Sequence, residues 1–375
     1  MDLPLAGSVR PDLAPVRDAF EEALAQGREL GCAFAAVLDG EVVVDLHGGW
    51  ADRAATRAWA PDTLTPVFSV TKAVTATLLA RLAATGRLAY DQPVAAVWPE
   101  FAQAGKAEVT IGMLLSHQAG LSGFPEPMDP AEWFDWGAIC ARLAAMSPLW
   151  PPGSGSGYHP VTFGHLAGEV FRRVDGRTVG RALAEDVAGP LGLDLWIGLP
   201  DAEHARVAEL EKPKTVPAFG ELNAATRAAF LTRWSSPAGR SSAEWRRAEF
   251  PAANGHATAA SLARFMGLLA AGDVRLLAAE GVEAMSAERI RGRDLVLPFD
   301  ISWGAGVMRN AGLGSYGPGP RTFGHSGWGG ACAFADPDWR LGVAYVMNRQ
   351  SAHLLGDPRP GRLIAALYAA LGQAG

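Results

Sequence analysis

Lysine is scarce in this chain of 375 residues. Of its 33 basic residues, only four are lysines, at Lys72, Lys106, Lys212 and Lys214. Arginine therefore supplies the routine positive charge, and a lysine in an unusual setting needs a particular reason. Lys72 has such a setting, because it follows Ser69 by three positions in the apolar segment 68–80.

Cysteine is also rare. Cys32, Cys140 and Cys332 lie far apart in apolar runs, without the spacing of metal ligands. This pattern predicts buried free thiols and no metal site. Nothing in the sequence implies an organic cofactor.

Long apolar runs and a basic excess are absent as well. No run of about 18 apolar residues is present, so we expect no membrane span. The net charge of −6 gives no electrostatic footprint for nucleic acid. The segment Met1–Ser8 has no basic region followed by an apolar stretch, so we expect no secretory signal and a cytoplasmic location.

Ser69 and Lys72 form a motif suited to nucleophilic catalysis. Residues at positions i and i+3 share a helix face, and a helix that is apolar all round is buried. A buried lysine loses proton affinity and can activate a serine hydroxyl as its base, whereas arginine stays protonated. We predict a helix that ends at Gly86 and has Ser69 in its first turn; the alternatives are a chance spacing, or a lysine that extends to the surface.

The periodicity predicts an α/β (α+β) fold with one antiparallel sheet built from both ends of the chain and flanked by helices. A helix is predicted over 11–27, a hairpin over Cys32–Leu38 and Val42–Leu46 with the turn Asp39-Gly40, and a terminal helix over Arg362–Leu371. Late strands are predicted at Ile301–Met308, Phe323–Phe334 and Leu341–Met347.

These elements predict two lobes. Residues 1–66 plus 290–375 form the α/β lobe, and residues 67–289 form a mainly helical lobe that carries the Ser69 helix and the loop before Tyr158. We expect the active site between the lobes, with the irregular segment 211–256 as a wall of the substrate pocket.

Two further segments supply the remaining groups that acyl transfer requires. Tyr158 follows the loop Pro151–Gly157 and is a candidate proton shuttle, although a loop tyrosine also occurs as a packing or surface residue. A neighbouring ammonium would make its phenol more acidic. The segment Phe323–Ala331 has four glycines in seven residues; we interpret it as a strand approached closely by a ligand, or else as an edge strand without one.

These motifs together resemble those of a known family. Ser69-Val70-Thr71-Lys72, Tyr158 and His325-Ser326-Gly327 occur in the order of the three motifs of serine β-lactamases and penicillin-binding proteins. The whole chain resembles the class C β-lactamase-like esterases, the family VIII carboxylesterases, over most of residues 10–372. The segments Leu114–Leu121 and Pro190–Leu193 add to the similarity.

The resemblance implies a role for each matched residue. Ser69 would be the nucleophile, Lys72 and Tyr158 its coupled base pair, and the backbone amides of Ser69 and Trp328 the oxyanion hole. His325, Ser326, Gly327 and Trp328 would contact the substrate. His117 matches a position that holds a loop.

Two departures from the lactamase pattern bear on the substrate. Pro160 stands where lactamases have asparagine, and His325 stands where they have a lysine that binds a substrate carboxylate. Both changes favour neutral, apolar esters, and tryptophans at 133, 136, 234, 245 and 328 are consistent with an apolar pocket.

We therefore predict a serine carboxylesterase that acts on small-molecule, short-chain esters, as a monomer or a homo-oligomer. The alternatives are a β-lactamase, a D-peptidase, or a small-amide hydrolase or acyltransferase with the same site. A non-catalytic binding protein of this fold is a third possibility. No Gly-x-Ser-x-Gly motif is present, which argues against an ordinary α/β-hydrolase.

Overall fold

The computed structural model describes residues 3–373; the first two and last two residues, which belong to the predicted α/β lobe and include the start of Met1–Ser8, lie outside the described residues. Twelve strands are present in this range: β1 Leu5–Val9, β2 Gly31–Leu38, β3 Glu41–Gly49, β4 Thr65–Phe68, β5 Leu195–Trp196, β6 Gly255–Ala257, β7 Ile290–Arg293, β8 Asp300–Trp303, β9 Met308–Arg309, β10 Phe323–Ser326, β11 Cys332–Asp336 and β12 Leu341–Met347.

The same residues form twelve α-helices, several of them only one turn long. They are α1 Ala14–Ala25, α2 Thr71–Ala84, α3 Ile111–Leu115, α4 Trp136–Ala145, α5 Thr162–Asp175, α6 Val179–Leu183, α7 Gly189–Leu191, α8 Ala224–Thr226, α9 Ala243–Arg247, α10 Ala259–Ala271, α11 Ala279–Ser286 and α12 Pro358–Gln373. No helix within 3–373 is long and apolar enough to cross a membrane.

Nine strands form one antiparallel sheet in the order β1-β3-β2-β12-β11-β10-β9-β8-β7, and β4-β6-β5 form a second, small sheet. The large sheet thus joins the first strands of the chain to the last, which confirms the predicted antiparallel sheet built from both termini. All seven residues of β12 are buried, so both faces of the sheet centre are covered. Helix α10 packs on β2, β11 and β12, and α1 packs on α12 and β3.

The predicted hairpin and the helices at the two ends are confirmed. Asp39 and Gly40 both have positive φ, 50° and 84°, as a tight two-residue hairpin turn requires. The terminal helix is longer than predicted, since α12 spans Pro358–Gln373. The three cysteines are buried free thiols, as predicted.

Two of the late strand predictions were wrong in extent. Ile301–Met308 contains the end of β8 and the start of β9, separated by a turn in which Gly306 has φ +77°. Phe323–Phe334 is a hairpin of β10 and β11. The cause is the same in both cases: a glycine with positive φ reverses a chain whose apolar pattern continues through the turn.

Candidate active site

Ser69 lies in a sharp turn between β4 and α2. Phe68 has φ +47°, which is uncommon for an aromatic residue, and this left-handed residue turns the chain before the helix begins. The hydroxyl of Thr71 holds the turn, since it donates to the Phe68 carbonyl (2.5 Å) and accepts from the Gly255 amide (2.8 Å). Ser69 therefore precedes α2 by two residues. The prediction that it lies in the first turn of the helix was wrong.

Lys72, in the first turn of α2, is completely buried. Its Nζ lies 3.2 Å from Ser69 Oγ, 2.8 Å from the Pro160 carbonyl oxygen and 3.0 Å from the Ala252 carbonyl oxygen. No carboxylate within residues 3–373 forms an ion pair with it. Burial without a counter-charge lowers the pKa of Lys72 well below 10.5.

An ammonium can donate to all three of these oxygens, and the neutral amine that the lowered pKa favours can also use them. A neutral lysine has two N–H groups and one lone pair. The carbonyls of Pro160 and Ala252 can only accept, so they take the two N–H groups. The lone pair is then left for the hydroxyl proton of Ser69, which is the arrangement that a general base needs.

Tyr158 approaches the same oxygen. Its hydroxyl donates to Ser69 Oγ at 2.6 Å, while Lys72 Nζ lies over the phenol ring, 4.7 Å from the ring centroid. The prediction that the lysine would make this phenol more acidic was wrong: burial dominates and raises the pKa of Tyr158. Tyr158 is consequently a neutral proton donor at ordinary pH.

Asp294 and His117 hold the tyrosine loop. The Tyr158 amide donates to Asp294 Oδ1 (2.9 Å), which also accepts from the amides of Val296 and Leu297. The His117 carbonyl accepts from the Gly157 amide (2.9 Å), and the His117 ring lies 5.0 Å from that of Tyr158, contacts that agree with the loop-holding role that the resemblance implies. Asp294 was missed; its only sequence signal is that of an Asx turn toward the two following amides.

The hairpin between β10 and β11 lies against the Ser69 turn. Gly327 donates to the Ala331 carbonyl (2.6 Å), and a Cβ atom on Gly327 would lie 2.3 Å from the Val67 carbonyl oxygen. Gly329 and Gly330 have φ of +89° and +120°. These three glycines therefore belong to a tight turn, not to the single strand that had been predicted, and Gly327 permits the turn to touch the end of β4.

Two backbone amides at this junction are free of protein partners. Within residues 3–373, neither the Ser69 amide nor the Trp328 amide donates a hydrogen bond, although both residues line the same pocket. Unpaired amides beside a serine hydroxyl are suitable donors for a developing oxyanion.

Of the four substrate contacts predicted at residues 325–328, three line this pocket. Ser326, Gly327 and Trp328 line it, but His325 does not. Successive strand residues point to opposite faces, so His325 is turned inward and lies fully buried beside the rings of Tyr158 (5.9 Å) and Trp303 (6.1 Å). Burial lowers its pKa to about 3, so it is neutral.

The pocket above Ser69 has a volume of about 330 Å³ and mostly apolar walls. Residues from both predicted lobes line it. One wall comes from the segment 211–256, through Val216, Pro217, Phe219, Ala229, Phe230, Leu231, Ser235, Ser236, Pro237, Arg240, Trp245 and Ala253. Of the five tryptophans considered, Trp245 and Trp328 line this pocket, whereas Trp133 and Trp136 line a separate cavity.

No group of three or more His, Cys, Asp or Glu side chains within the described range is arranged to hold a metal ion. The polar groups that meet at the pocket floor are those of Ser69, Lys72 and Tyr158. This arrangement can activate a hydroxyl, deliver a proton and bind an oxyanion.

Comparison with known proteins places this geometry in context. Residues 16–367 match the Beta-lactamase family. The Esterase/beta-lactamase LipL of Mycobacterium tuberculosis is 36% identical over 375 residues, with 95% of this chain and 85% of that protein covered.

Two solved structures resemble the chain over nearly its whole length. A penicillin-binding protein homologue from Caulobacter crescentus superposes with a TM-score of 0.96 and 62% identity, covering 98% of this chain and 100% of that one. A family VIII carboxylesterase superposes with a TM-score of 0.92 and 41% identity, at the same coverage.

Proposed function

The chain belongs to the Beta-lactamase family of serine hydrolases, and we propose that it is a carboxylesterase that hydrolyses short-chain esters through an acyl-enzyme on Ser69. One observation carries the proposal. Ser69 Oγ lies 2.6 Å from the Tyr158 hydroxyl and 3.2 Å from Lys72 Nζ, at the floor of an apolar pocket.

Acylation begins with neutral Lys72. Its lone pair takes the proton from Ser69 Oγ as this oxygen attacks the ester carbonyl carbon. The carbonyl oxygen gains negative charge and moves toward the amides of Ser69 and Trp328. Neither amide donates a hydrogen bond to another group within residues 3–373. The tetrahedral intermediate then collapses, the bond to the alcohol oxygen breaks, and the acyl group remains on Ser69.

Tyr158 supplies the proton for the leaving alcohol. Its raised pKa keeps the hydroxyl protonated until an alkoxide develops beside it. Lys72, now an ammonium, returns a proton to the phenolate, which restores both groups. The Lys72 ammonium lies over the Tyr158 ring at 4.7 Å and stabilises the transient phenolate electrostatically.

Deacylation reverses the same steps with water. The Tyr158 and Lys72 pair removes a proton from a water molecule that attacks the acyl carbonyl, and Ser69 leaves as its oxygen is reprotonated. Lys72 is neutral again once the proton taken from water has passed to Ser69, and the product acid departs and loses its own proton to solvent.

An ester is the substrate class that the pocket favours. Its walls are mostly apolar, Pro160 offers a carbonyl but no side-chain amide, and His325 is buried and neutral. A small-molecule ester with short acyl and alcohol groups fits a volume of about 330 Å³.

β-Lactam hydrolysis is the second candidate. The relative from Mycobacterium tuberculosis is named as both an esterase and a β-lactamase, and the Caulobacter crescentus neighbour as a penicillin-binding protein homologue. The same serine would attack a lactam carbonyl. Small amides and D-amino-acid peptides belong to this candidate, because they require the same groups with an amine as the leaving group.

Parallel assays separate the candidates. We expect 4-nitrophenyl acetate to be hydrolysed much faster, by kcat/KM, than a chromogenic cephalosporin or a 4-nitroanilide, and Ser69→Ala to abolish all three activities. Faster turnover of the cephalosporin would overturn the ester assignment. A wild-type protein with no activity on any of them would support a binding protein in its place.

A further inference from the structure

The pocket above Ser69 carries one charged side chain on its lining. Among the described residues that line it, Arg240 is charged and no Asp or Glu is present. Lys72 lies beneath the floor and is buried. A negatively charged group in this pocket would therefore meet an attractive guanidinium and no carboxylate that repels it.

Arg240 has no partner of its own. It forms no hydrogen bond and no ion pair with any residue of 3–373, whereas other arginines are firmly held; Arg177, for example, contacts Asp175 and Asp186 at 2.6 Å. A guanidinium has five N–H donors in a planar fork. All of them remain available for a ligand.

The chain around Arg240 is held in a defined turn. Gly239 and Ser241, on either side, have φ of +65° and +77°. Ser242 donates its amide to the Gly239 carbonyl (2.7 Å) and caps α9 by accepting from the Trp245 amide (3.1 Å). Because Trp245 lines the same pocket, this turn fixes the backbone at Arg240 relative to the pocket wall, and the exposed arginine side chain extends from it without a partner among residues 3–373.

Two hydroxyl groups share the pocket lining with the guanidinium. Ser235 and Ser236 line the pocket along with Arg240, in a wall that is otherwise built of apolar side chains. A carboxylate can accept hydrogen bonds from hydroxyls and from the guanidinium fork together. The pocket thus has an apolar body and one edge suited to an anion.

We propose that Arg240 binds a carboxylate of the substrate, so that the enzyme selects esters that carry a negatively charged group. The inference rests on the proposed esterase function and names the substrate class of the same site. The absence of a cation at His325 led to the expectation of neutral esters. Arg240 supplies a cation from the segment 211–256 instead, so the expected substrates become esters with a negative charge. The charge-assisted contact is made by the bound ester and its transition state alike, so it acts mainly on KM.

Two matched substrate pairs test the proposal and locate the carboxylate. On the acyl side, 4-nitrophenyl hydrogen adipate is compared with 4-nitrophenyl hexanoate. On the alcohol side, 4-acetoxybenzoate is compared with its methyl ester. Each pair differs in one negative charge, and the ratio of kcat/KM values, anionic over neutral, is measured for each protein.

Three variants complete the design. Arg240→Gln removes the charge, and Arg240→Lys keeps it without the planar fork. Arg233→Gln is the matched control, since Arg233, like Arg240, is exposed in the same segment but does not line the pocket. We expect Arg240→Gln to raise KM about 10- to 100-fold for the anionic ester of at least one pair and to change KM for its neutral partner less than about twofold. We expect Arg240→Lys to retain most of the preference for the anionic ester, and Arg233→Gln to retain all of it.

The outcomes are distinguishable. If Arg240→Gln lowers the ratio of kcat/KM values in the adipate pair, the carboxylate lies on the acyl group. If it lowers the ratio in the acetoxybenzoate pair, the carboxylate lies on the alcohol. If Arg240→Gln leaves both ratios unchanged, or lowers activity on neutral and anionic esters equally, the Arg240 proposal is overturned while the esterase function stands. If the wild type hydrolyses none of the four esters, both proposals are overturned.

Discussion

The hydroxyl of Tyr158 donates a 2.6 Å hydrogen bond to Oγ of Ser69, the same oxygen that lies 3.2 Å from Lys72 Nζ. One serine oxygen is thereby in contact with a buried amine and a buried phenol. Ser69 can pass its proton to Lys72, while Tyr158 holds a separate proton for a leaving group. The proposed mechanism and the predictions below depend on this relationship.

Tyr158→Phe separates the hydroxyl from the ring. The ring stacks on Trp303 at 5.8 Å with an interplanar angle of 6°, so phenylalanine keeps the packing and loses the proton donor. We expect kcat to fall about 10²- to 10³-fold with little change in melting temperature. Steady-state kinetics and circular dichroism measure the two effects.

Tyr90→Phe is the matched control for that variant. The Tyr90 hydroxyl is buried, has no hydrogen-bond partner within 3–373 and does not line the pocket. We expect its removal to leave kcat unchanged. Equal losses of activity in both variants would show that the Tyr158 hydroxyl has no special role.

Gly327→Ala tests whether the β10–β11 turn positions an oxyanion donor. The new Cβ atom would lie 2.3 Å from the Val67 carbonyl oxygen, so the turn must move away from the end of β4 and carry the Trp328 amide with it. We expect kcat/KM to fall about 10²- to 10³-fold, the cost of losing one oxyanion donor.

Gly361→Ala provides the comparison, because this glycine lies in α12 and a Cβ atom added to it would have no other atom within 4 Å. Alanine there is expected to raise the free energy of unfolding by about 0.5–1 kcal/mol and to leave kcat/KM unchanged. Wild-type activity in Gly327→Ala would show that the β10–β11 turn does not position an oxyanion donor.

The pH dependence of kcat/KM reports the base. Burial lowers the pKa of Lys72 below 10.5, and only its neutral form accepts the serine proton, so activity rises as pH increases through this lowered pKa. The neighbouring histidines do not account for such a limb, since burial lowers the pKa of His159 and of His325 to about 3. We expect His325→Gln to leave the pKa of the rising limb in place; disappearance of the limb in this variant would assign it to the histidine.

Asp294→Ala tests the support of the tyrosine loop. The variant leaves three buried amides, those of Tyr158, Val296 and Leu297, without their acceptor. We expect a loss of about 2–4 kcal/mol in the free energy of unfolding by urea, and a lower kcat because Tyr158 is no longer fixed. Asp273→Ala, which removes a half-buried carboxylate that accepts from the Arg275 amide, is expected to cost less than about 1 kcal/mol and no activity. Similar losses in the two variants would contradict the special role of Asp294.

The sequence allowed the local parts of this site to be predicted. Ser69 and Lys72 are three residues apart, and the tight turn that leads into α2, in which the Lys72 amide donates to the Ser69 carbonyl (3.0 Å), brings their side chains together. Asp39-Gly40 has a turn chemistry that nearly dictates a hairpin. Tyr158 was identified from its place after a glycine-rich loop and from the order of motifs.

Features that depend on distant backbone could not be predicted. Lys72 Nζ donates to the carbonyl of Ala252, 180 positions away, and to that of Pro160. Because every residue has a backbone carbonyl, the residue types at these positions do not reveal the contacts. The inward orientation of His325 depends on which face of β10 meets α2, which one strand alone does not specify. The hairpin at Gly327–Ala331 was missed because apolar residues continue on both sides of it.

The most direct test of the central claim is labelling with a fluorophosphonate, followed by peptide mass spectrometry. The account predicts a single adduct on Ser69 in the wild type, and its loss or strong slowing in Lys72→Ala, because the serine then has no base at 3.2 Å. An adduct on another serine, no adduct at all, or labelling of Lys72→Ala at the wild-type rate would contradict the claim that Lys72 activates Ser69.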